Sequence, residues 1–515
     1  MIPLDTVPAV QMKNITKRFG DVLANDNVNL EIRHGEILSI LGENGSGKTT
    51  LMNMLSGIYF PDSGEIFVNG EEVTIRSPKD AYDLGIGMIH QHFKLVDVFT
   101  AAENIVLGLH EKGRLDRKTI SSKVREISER YGFDIDPDQK IYDMSVSQRQ
   151  TLEIVKVLYR GANVLILDEP TAVLTPQETA KLFSVMKNMR EDGKSLVIIT
   201  HKLNEVMEVS DRVAVLRKGE YVGDVATKDT NPQKLTEMMV GRAVALNIDR
   251  PKAEKLTKRI EVRHLSVKSK EGISRLKDIN FTAYGGEILG VAGISGSGEK
   301  ELLEAIAGLQ PTEAGSQVLY YDDSGQAQDL IGKNPLEIVR LGVSLSFVPE
   351  DRLGMGLVGN MDLTDNMLLR SYLSGKGVFT ARKAPRKLAE DVVEQLEIVT
   401  PSINTQVRKL SGGNVQKVLV GREIAMNPKV LMSAYAVRGL DINTSYTIYN
   451  LMTEQKMKGV TVIFVGEDLD VLLELSDRIL VLCGGQVSGI VDARTATKEQ
   501  IGLMMTQLQE KEGQA

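Results

Sequence analysis

The sequence predicts an α/β protein that contains one type of domain twice, each copy having a mostly parallel sheet flanked by helices. The first observation is an internal repeat, because residues 34–57 recur at 285–308. The second is the alternation of short apolar runs with longer helical stretches, which is typical of parallel strands joined by helices. The third is composition, since 42% apolar and 25% charged residues over 515 positions are typical of globular proteins.

The repeat also places the domain boundaries. HGEILSILGENGSGKTTLMNMLSG at 34–57 matches the second copy with a shift of 251, whereas 197–220 matches 462–486 with a shift of 266. The larger shift predicts extra loop residues in the second copy, around 320–329. Polar residues and Pro251 between the copies predict a linker. We therefore expect a first domain, a linker, a second domain and a flexible tail at 8–244, 245–257, 258–505 and 506–515.

Two apolar runs in the first copy are predicted to be buried strands. NVLILDE at 163–169 and SLVIITH at 195–201 are continuous apolar segments that become polar at their ends. Strands buried on both faces of a parallel sheet have this pattern. Residues 95–160 lack such runs and are expected to be mainly helical.

Charge and cysteine content exclude several classes of protein. The chain has 62 Lys and Arg residues against 69 Asp and Glu, and this net charge of −7 argues against a surface built to grip nucleic acid. The single cysteine, Cys483, excludes an internal disulfide or a cysteine-rich zinc module and fits a reducing compartment. The sequence has no recognisable signal peptide and no run of about 18 apolar residues, so we expect any membrane role to be exercised through partners.

A glycine-rich motif predicts a phosphate-binding loop. Residues 42–49 fit G-x-x-x-x-G-K-[ST] and lie between an apolar strand and a helix. The glycines allow backbone N–H groups to turn toward phosphates, and the helix N-terminus adds a partial positive charge. We expect Lys48 at the β- and γ-phosphate oxygens and the Thr49 hydroxyl at Mg²⁺. The motif therefore predicts a nucleotide site.

Two carboxylates end the strand predicted at 163–169. Asp168 is placed to hold Mg²⁺ at the edge of the sheet that carries the phosphate loop. Glu169, the next residue, is placed to act as a general base that polarises the attacking water. The pair therefore predicts hydrolysis of the bound nucleotide.

Three motifs together give a resemblance to a known family. LILDEPT at 165–171, LSGGN at 410–414 and His201 at the end of a strand look like ATP-binding cassette (ABC) ATPases. The resemblance covers about residues 10–505. It implies two tandem ABC-type P-loop NTPase domains, each with a helical subdomain, that bind ATP and Mg²⁺.

The resemblance also implies roles for individual residues. Phe19 would stack on adenine, Gln91 would couple Mg²⁺ to a transmembrane partner, and His201 would contact the γ-phosphate. The catalytic residues would be Glu169, His201, Lys48 and Gln91, and the Mg²⁺ ligands would be Thr49, Gln91 and Asp168. The residues expected to contact ATP are Phe19, Gly42, Asn44, Gly45, Ser46, Gly47, Lys48, Thr49, Thr50, Ser411, Gly412, Gly413 and Asp441.

The second domain is expected to have lost the chemistry. Glu299 stands where the catalytic lysine belongs, and Lys300 stands where the Mg²⁺-binding hydroxyl belongs. A carboxylate about 4 Å from a phosphate oxygen costs about 1 to 4 kcal/mol, so phosphate binding should suffer unless Lys300 compensates. Alignment of the two halves also places Ala434, Tyr435 and Glu467 at the positions of Asp168, Glu169 and His201.

The signature motif has the opposite asymmetry. LSGGN at 410–414 is close to the family's LSGGQ, whose serine and backbone amides bind the γ-phosphate, whereas the first domain has MSVSQ at 144–148. Side chains at Val146 and Ser147 hinder close approach of the backbone. In the family two cassettes pack head to tail, and each ATP lies between one P-loop and the opposite signature. This implies intramolecular pairing that creates one competent site and one degenerate site.

Twin cassettes occur in importer ATPases, in translation factors and in DNA-repair ATPases. DNA-repair versions carry zinc modules or long coiled coils, which this sequence does not permit, and the translation factors have two competent sites and a long charged linker. The segments 347–358 and 409–424 resemble importer ATPases for ribose, galactose and nucleosides, and the segments 87–108 and 159–178 look more like the nucleoside branch. The resemblance therefore implies ATP-driven nucleoside import. Sugar import is the first alternative, and a soluble ATPase that acts on the ribosome is the second.

The importer resemblance implies a set of partners. Two transmembrane permease subunits would dock near Gln91 and Glu350, and an extracellular solute-binding lipoprotein would deliver the solute to them. No nucleic acid partner is expected. The chain would be a peripheral subunit at the cytoplasmic face of the cell membrane.

Overall fold

The structure of the chain, a computed structural model, divides into two compact units. They comprise Met1–Ala245 and Leu246–Ala515. The residues that the structure describes are 7–90, 94–109, 116–172, 174–241, 248–253, 255–269, 272–294, 296–347, 356–370, 372, 381–425, 428–437, 440, 442–466 and 468–508.

The first unit contains two sheets. An antiparallel four-stranded sheet has the order β2-β1-β4-β5, and a six-stranded sheet has the order β10-β9-β3-β8-β7-β6. In the larger sheet the neighbours from β9 to β6 are parallel, and β10 is an antiparallel edge strand. The strands are β1 Val10–Phe19, β2 Val22–Ile32, β3 Ile37–Leu41, β4 Ser63–Val68, β5 Glu71–Val73, β6 Ile86–Ile89, β7 Val164–Asp168, β8 Ser195–Ile199, β9 Arg212–Arg217 and β10 Glu220–Ala226.

Four neighbouring parallel strands, β3, β8, β7 and β6, are buried along their whole length. Such burial is expected for strands covered on both faces. The strands β7 and β8 confirm the two strands predicted from apolar runs. Because parallel strands point the same way, the carboxyl ends of β3, β7 and β8 meet at one edge of the sheet, where ligands bind in open α/β sheets.

Helices cover the larger sheet and also form a separate helical region between β6 and β7. Thr100 with Glu103, and Thr175 with Glu178, form capping boxes that satisfy the first backbone N–H groups of their helices. The described part of 95–160 is mainly helical, as predicted. The helices are Lys48–Leu55, Pro78–Asp83, Ala101–Val106, Arg117–Tyr131, Val146–Tyr159, Pro176–Glu191, Leu203–Val209 and Pro232–Val240, with 3₁₀ turns at Ile141–Asp143 and Thr227–Asp229.

Hydrophobic clusters hold these layers together. One cluster lies between the two sheets and includes Ile40 of β3 and Leu51 of the helix Lys48–Leu55. A second cluster lies on the other face of the larger sheet, where Leu167 of β7 packs with Phe183. A third joins the helices of the helical region. The loop between β3 and the helix Lys48–Leu55 is therefore anchored at both ends by buried elements.

The second unit repeats this topology, with sheets ordered β12-β11-β14-β15 and β16-β17-β18-β13-β19-β20. Its strands are β11 Thr257–Lys268, β12 Ser274–Gly285, β13 Ile288–Ala292, β14 Gln317–Tyr321, β15 Ala327–Asp329, β16 Val343–Phe347, β17 Val430–Ala434, β18 Thr461–Val465, β19 Arg478–Cys483 and β20 Gln486–Asp492. Its helices are Glu299–Ile306, Pro335–Arg340, Leu363–Leu368, Lys383–Gln395, Gly412–Ala425, Ile442–Met457, Leu469–Leu475 and Lys498–Thr506, with a 3₁₀ turn at Val407–Lys409. Within the described ranges of both units, every helix is too short or too polar to cross a bilayer.

An ion pair with a buried glutamate occurs at equivalent positions of the two units. The Nη2 atom of Arg212 lies 2.7 Å from Oε1 of Glu36, and Nη2 of Arg478 lies 2.8 Å from Oε1 of Glu287. Each glutamate directly precedes the central strand of its larger sheet, and each arginine begins the neighbouring strand. The internal repeat of the sequence is therefore a repeat of structure as well.

The predicted fold class is confirmed, but each unit has an antiparallel sheet that was not predicted. The strands β1 and β2 bury only part of their residues, and register shifts interrupt their pairing at several points. A strand with such irregularities loses the strict alternation by which a half-buried strand is recognised. The antiparallel sheet therefore has only a weak signal in the sequence.

The extra loop expected around 320–329 is only partly a loop. Tyr321 ends β14, and β15 begins at Ala327, so part of this segment is a hairpin. The distance in sequence between equivalent residues grows in steps along the chain. It is 251 for Gly42 and Gly293, 257 for Pro78 and Pro335, 262 for Ala101 and Leu363, and 266 for Ser145 and Ser411. The additional residues are therefore spread over several connections.

Residues that follow the unit boundary pack on the second unit. Ile248 is buried in the hydrophobic core of that unit, and Nη1 of Arg250 donates a hydrogen bond of 2.8 Å to the carbonyl oxygen of Leu473. This part of the segment at 245–257 is therefore fixed to the second unit.

Candidate nucleotide site

The phosphate loop of the first unit has a backbone that only glycine accommodates at two positions. Gly45 and Gly47 have φ angles of 81° and 95°, in the left-handed region. A Cβ atom on Gly47 would also overlap the Ala24 carbonyl oxygen and lie 2.6 Å from Nδ2 of Asn25. This glycine therefore allows the loop to lie directly against β2.

Lys48 points back across the loop. Its Nζ atom donates hydrogen bonds of 2.7 and 2.9 Å to the carbonyl oxygens of Gly42 and Glu43. Burial lowers the pKa of Lys48, and the carboxylates of Glu169 and Asp168 oppose this effect. The structure therefore places the predicted lysine close enough to both predicted carboxylates for their charges to affect its pKa.

Two buried polar atoms beside the loop have no hydrogen-bond partner. They are Oγ of Ser46, a residue that is only 3% exposed, and Oδ1 of Asn25. Buried hydroxyl groups are almost always hydrogen-bonded in folded proteins. The unsatisfied hydroxyl of Ser46 within a phosphate-loop motif therefore fits a ligand that carries hydrogen-bonding oxygens, such as a nucleotide phosphate.

Asp168 ends β7 and contacts Thr49. Burial and the neighbouring Glu169 raise the pKa of Asp168 to about 6, whereas a hydrogen bond with the Thr49 side chain and the charge of Lys48 oppose the rise. Mg²⁺ in nucleotide sites is commonly held by one or two carboxylates together with phosphate oxygens. Asp168 and Thr49 supply oxygen donors of this kind, and a divalent cation would offset the cost of burying the two adjacent carboxylates.

Glu169 is held by backbone geometry and by His201. Its φ angle of 46° is unusual for a residue other than glycine, and its N–H donates a hydrogen bond of 2.9 Å to the carbonyl oxygen of Ile199. Oε1 of Glu169 lies 2.9 Å from Nδ1 of His201. The hydrogen bond with His201 lowers the pKa of Glu169, which therefore stays a carboxylate near neutral pH.

Phe19 lies at the end of β1 with 43% of its surface exposed. Its ring packs edge to face against Tyr59 with ring centroids 5.1 Å apart, and Nζ of Lys17 lies 5.4 Å from its centroid. An exposed aromatic pair of this kind offers a stacking surface for a planar ring.

The phosphate loop of the second unit has the same backbone conformation as the first loop, but a carboxyl group, that of Glu299, stands in place of the Lys48 ammonium group. Gly296 and Gly298 have φ angles of 90° and 103°, as in the first loop. Glu299 is only 6% exposed, and its Oε1 occupies the space where Gly293 would carry a Cβ atom. Burial raises the pKa of Glu299 to about 7, although hydrogen bonds from the backbone N–H groups of residues 297–299 oppose the rise.

At two further positions the second unit has the backbone geometry of the first site but lacks the side-chain carboxylates found there. Ala434 ends β17, and Tyr435 has a φ angle of 57°, close to that of Glu169 at the equivalent position. Lys300 does not compensate for Glu299, because its Nζ atom lies 3.7 Å from Oε1 of Glu304, one helical turn away. At the positions of Ala434 and Tyr435 the second unit therefore has the backbone geometry of the site without the carboxylates of Asp168 and Glu169.

The two signature segments differ at their helix starts. In the first unit Ser145 and Gln148 form a capping box, with hydrogen bonds of 3.2 and 2.9 Å. In the second unit the helix Gly412–Ala425 follows Ser411, whose Oγ accepts a hydrogen bond of 3.0 Å from Nδ2 of Asn414. A Cβ atom on Gly413 would meet no atom of the described residues within 4 Å, so its glycine is not required by packing inside the unit.

The structure brings most predicted site residues of the first unit together. Two of the predicted residues, Gln91 and Asp441, lie outside the described residues, as do Glu350 and Glu467. Sequence reasoning missed Asn25 and Tyr59, because neither belongs to a motif. Tyr59 lies shortly after the helix Lys48–Leu55, and an aromatic residue at that point is the one signal that was available.

The loop, the strand-end carboxylates and the sheet order define a P-loop nucleotide-binding fold. A sequence profile of the family described as ABC transporter matches residues 25–172 and 276–433. This chain belongs to the ABC transporter family.

Named relatives match nearly the whole chain. It is 43% identical to the nucleoside import ATP-binding protein NupA of Lactococcus lactis, over 96% of this chain and 97% of the relative. It is also 43% identical to the guanosine import ATP-binding protein NupO of Bacillus subtilis, over 98% of both chains. The ribose import ATP-binding protein RbsA 1 of Rubrobacter xylanophilus is 40% identical, over 96% of this chain and 97% of the relative.

A solved structure has the same fold. The crystal structure of the complex of archaeal ribosomal stalk protein aP1 and archaeal ribosome recycling factor aABCE1 gives a TM-score of 0.61. The match covers 93% of this chain and 90% of that chain at 16% identity, so it shows the fold alone.

Proposed function

We propose that the chain is the ATP-hydrolysing subunit of an ABC importer that takes up nucleosides through separate permease subunits. The observation that carries the ATPase is the single sheet edge at which Lys48, Asp168 and the pair Glu169–His201 meet. Family membership and the names of the 43% identical relatives support import, and both of those names refer to a nucleoside.

Each residue of the first site has a distinct task in this proposal. Asp168 and the Thr49 hydroxyl would hold Mg²⁺, which when bound would neutralise charge on the phosphate oxygens. Lys48 exchanges the carbonyl oxygens of Gly42 and Glu43 for β- and γ-phosphate oxygens. Glu169 orients the attacking water and accepts its proton, and His201 keeps the Glu169 carboxylate in position near the γ-phosphate. Phe19, with Tyr59 beside it, stacks on the adenine ring.

We further propose that the two domains pair within one chain, so that the first P-loop and the second signature complete one hydrolytic site. Ser411, Gly412, Gly413 and Asp441 would then contact the ATP held by the first domain. One feature supports this proposal. A Cβ atom on Gly413 would meet no atom of the described residues within 4 Å, so packing inside the second unit does not require a glycine there.

Permease docking is proposed near Gln91. A pocket of about 200 Å³ lies next to the end of β6, and His90 is among its lining residues. It combines apolar side chains with charged ones, including Ile58, Tyr82, Lys94 and Glu153. A mixed surface of this kind suits a short helix of a membrane subunit that has both an apolar face and charged ends. Two permeases, and a solute-binding lipoprotein that acts through them, would place the chain at the cytoplasmic face of the membrane.

Sugar import is the second candidate. The 40% identical ribose importer relative favours it, and an ATPase subunit of this kind does not touch the solute in our proposal. Action on the ribosome has less support, because the relevant structural match shares only 16% identity.

A reconstituted complex tests the function. We expect vesicles that contain the permeases encoded next to this chain to accumulate radiolabelled guanosine when the chain and MgATP are supplied. The Glu169→Gln chain is the matched control and should dock but give no uptake. Accumulation of ribose but not of guanosine would show that the solute is a sugar and not a nucleoside. Ribosome binding without any uptake would contradict the importer function.

A further inference from the structure

The second phosphate loop is occupied by its own side chain. The Glu299 carboxylate lies against Gly293, the first glycine of the motif, and the backbone N–H groups of residues 297–299 donate hydrogen bonds to it. Only 6% of the surface of Glu299 is exposed. The carboxylate is therefore seated inside the loop and does not project into solvent.

The first loop shows what this contact replaces. Glu299 is equivalent to Lys48, whose ammonium group donates to the carbonyl oxygens of Gly42 and Glu43. Lys48 itself accepts no hydrogen bond from the N–H groups of its loop, because an ammonium group has no acceptor. Glu299 does the opposite, since its carboxylate accepts from the equivalent N–H groups.

A carboxylate in this place competes directly with a phosphate. Both are anions that accept hydrogen bonds from backbone N–H groups at a helix start, and the helix Glu299–Ile306 begins here. The internal carboxylate needs no diffusion to reach the loop, and its charge repels a second anion. The ammonium group of Lys300, the next residue, lies 3.7 Å from Oε1 of Glu304.

We propose that the Glu299 carboxyl group fills the phosphate loop of the second domain and excludes nucleotide phosphate from it. The carboxyl group accepts hydrogen bonds from N–H groups of the loop that a bound phosphate would otherwise use. Removal of the carboxylate therefore converts the loop into an anion site. This inference does not depend on the transported solute.

Nucleotide binding by full-length variants tests the inference. In a chain with Lys48→Ala, which disables the first loop, we expect Glu299→Lys to raise the affinity for fluorescently labelled MgADP at least tenfold. Glu299→Ala should give a smaller increase, because it removes the carboxylate without adding a cation. Glu301→Ala, in the same first helical turn, is the matched control for charge and should change nothing.

The comparison separates this inference from the proposed ATPase. Tight binding of MgADP by the Lys48→Ala chain would contradict the role of the first loop. The inference about Glu299 rests instead on the difference in MgADP affinity between the Lys48→Ala chain and the same chain with an added Glu299 substitution. The inference is overturned if neither Glu299 variant binds MgADP more tightly than Lys48→Ala alone, or if Glu301→Ala has the same effect.

Hydrogen exchange on the unsubstituted chain gives a second test that needs no variant. We expect saturating MgADP to slow amide exchange in peptides that cover 42–49 and to leave peptides that cover 293–300 unchanged. Slower exchange at 293–300 on addition of MgADP would mean that the second loop binds nucleotide, which would overturn the inference.

Discussion

His201 and Glu169 are joined across the ends of two neighbouring parallel strands, with Nδ1 of His201 2.9 Å from Oε1 of Glu169. Glu169 directly follows β7, and His201 comes two residues after the end of β8. The contact keeps the glutamate charged and fixes its direction, since the hydrogen bond from His201 is the largest effect that lowers the Glu169 pKa. A carboxylate held in this way can accept a proton from water.

The first prediction concerns the Glu169 carboxylate. Glu169→Gln should keep ATP binding and lower kcat at least about a hundredfold, because the amide cannot take a proton from water. The measurements are steady-state ATPase activity and equilibrium ATP binding. Glu191→Gln, at an exposed helix end, is the control and should keep the normal rate. Near-normal turnover by Glu169→Gln would contradict the assignment.

The second prediction concerns His201 as a positioning residue. His201→Ala should lower kcat about tenfold or more, because Glu169 loses the partner that orients it, while the affinity for ADP stays nearly unchanged. His264 forms a similar exposed pair with Asp278 at 2.7 Å in the second unit, so His264→Ala is the matched control. Equal effects of the two substitutions on kcat would refute the positioning role.

The third prediction concerns loop stability. Gly45→Ala should cost about 1 to 2 kcal/mol, because its φ angle is positive but its Cβ atom would meet no atom of the described residues within 4 Å. Gly47→Ala should cost more, because its Cβ atom would also overlap the Ala24 carbonyl oxygen. Thermal unfolding without nucleotide measures the difference. Equal midpoints for the two variants would show that the close approach to β2 is not required.

The fourth prediction concerns Glu299 and pH. In the folded chain its pKa is about 7 against an ordinary value of 4.5, so the folded state holds a proton that the unfolded state releases between these values. Stability from this group is therefore present below about pH 4.5 and is lost as the pH rises to about 7, by up to about 3 kcal/mol.

Glu299→Gln has no such titration. Its midpoint of thermal unfolding, relative to that of the unsubstituted chain, should therefore rise between pH 5 and pH 8. Glu301→Gln is the control and should show no such trend. A difference between Glu299→Gln and the unsubstituted chain that is constant over this range would contradict burial of the carboxylate.

Much of the fold was predictable from the sequence because its signals are local. The buried strands β7 and β8 follow from continuous apolar runs, and the phosphate loop follows from a motif whose glycines are required by the backbone. The antiparallel sheets were missed because β1 and β2 pair with register shifts that disturb their alternation.

The site was predictable only where a motif names its residues. Lys48, Asp168 and Glu169 lie in motifs, whereas Asn25 and Tyr59 reach the site through tertiary packing that no local pattern records. The sequence left open whether Lys300 compensates for Glu299. The contact between Lys300 and Glu304 answers that question, because the direction of a side chain depends on its neighbours in the fold.

The central claim is that the second signature, and not the first, completes the site of the first P-loop. Ser411 and Ser145 are equivalent, both are exposed, and each accepts a hydrogen bond from the backbone N–H three residues later, at 3.4 and 3.2 Å. Arginine at either position therefore removes a comparable cap, at a cost of about 1 kcal/mol.

The most direct measurement is the steady-state ATPase activity of the full-length Ser411→Arg and Ser145→Arg chains, compared with the unsubstituted chain. The account predicts that Ser411→Arg lowers kcat at least about a hundredfold, as expected when a group that stabilises the reacting phosphate is lost. It predicts that Ser145→Arg keeps nearly the normal rate. Full activity in Ser411→Arg, or an equal loss in both chains, would contradict it.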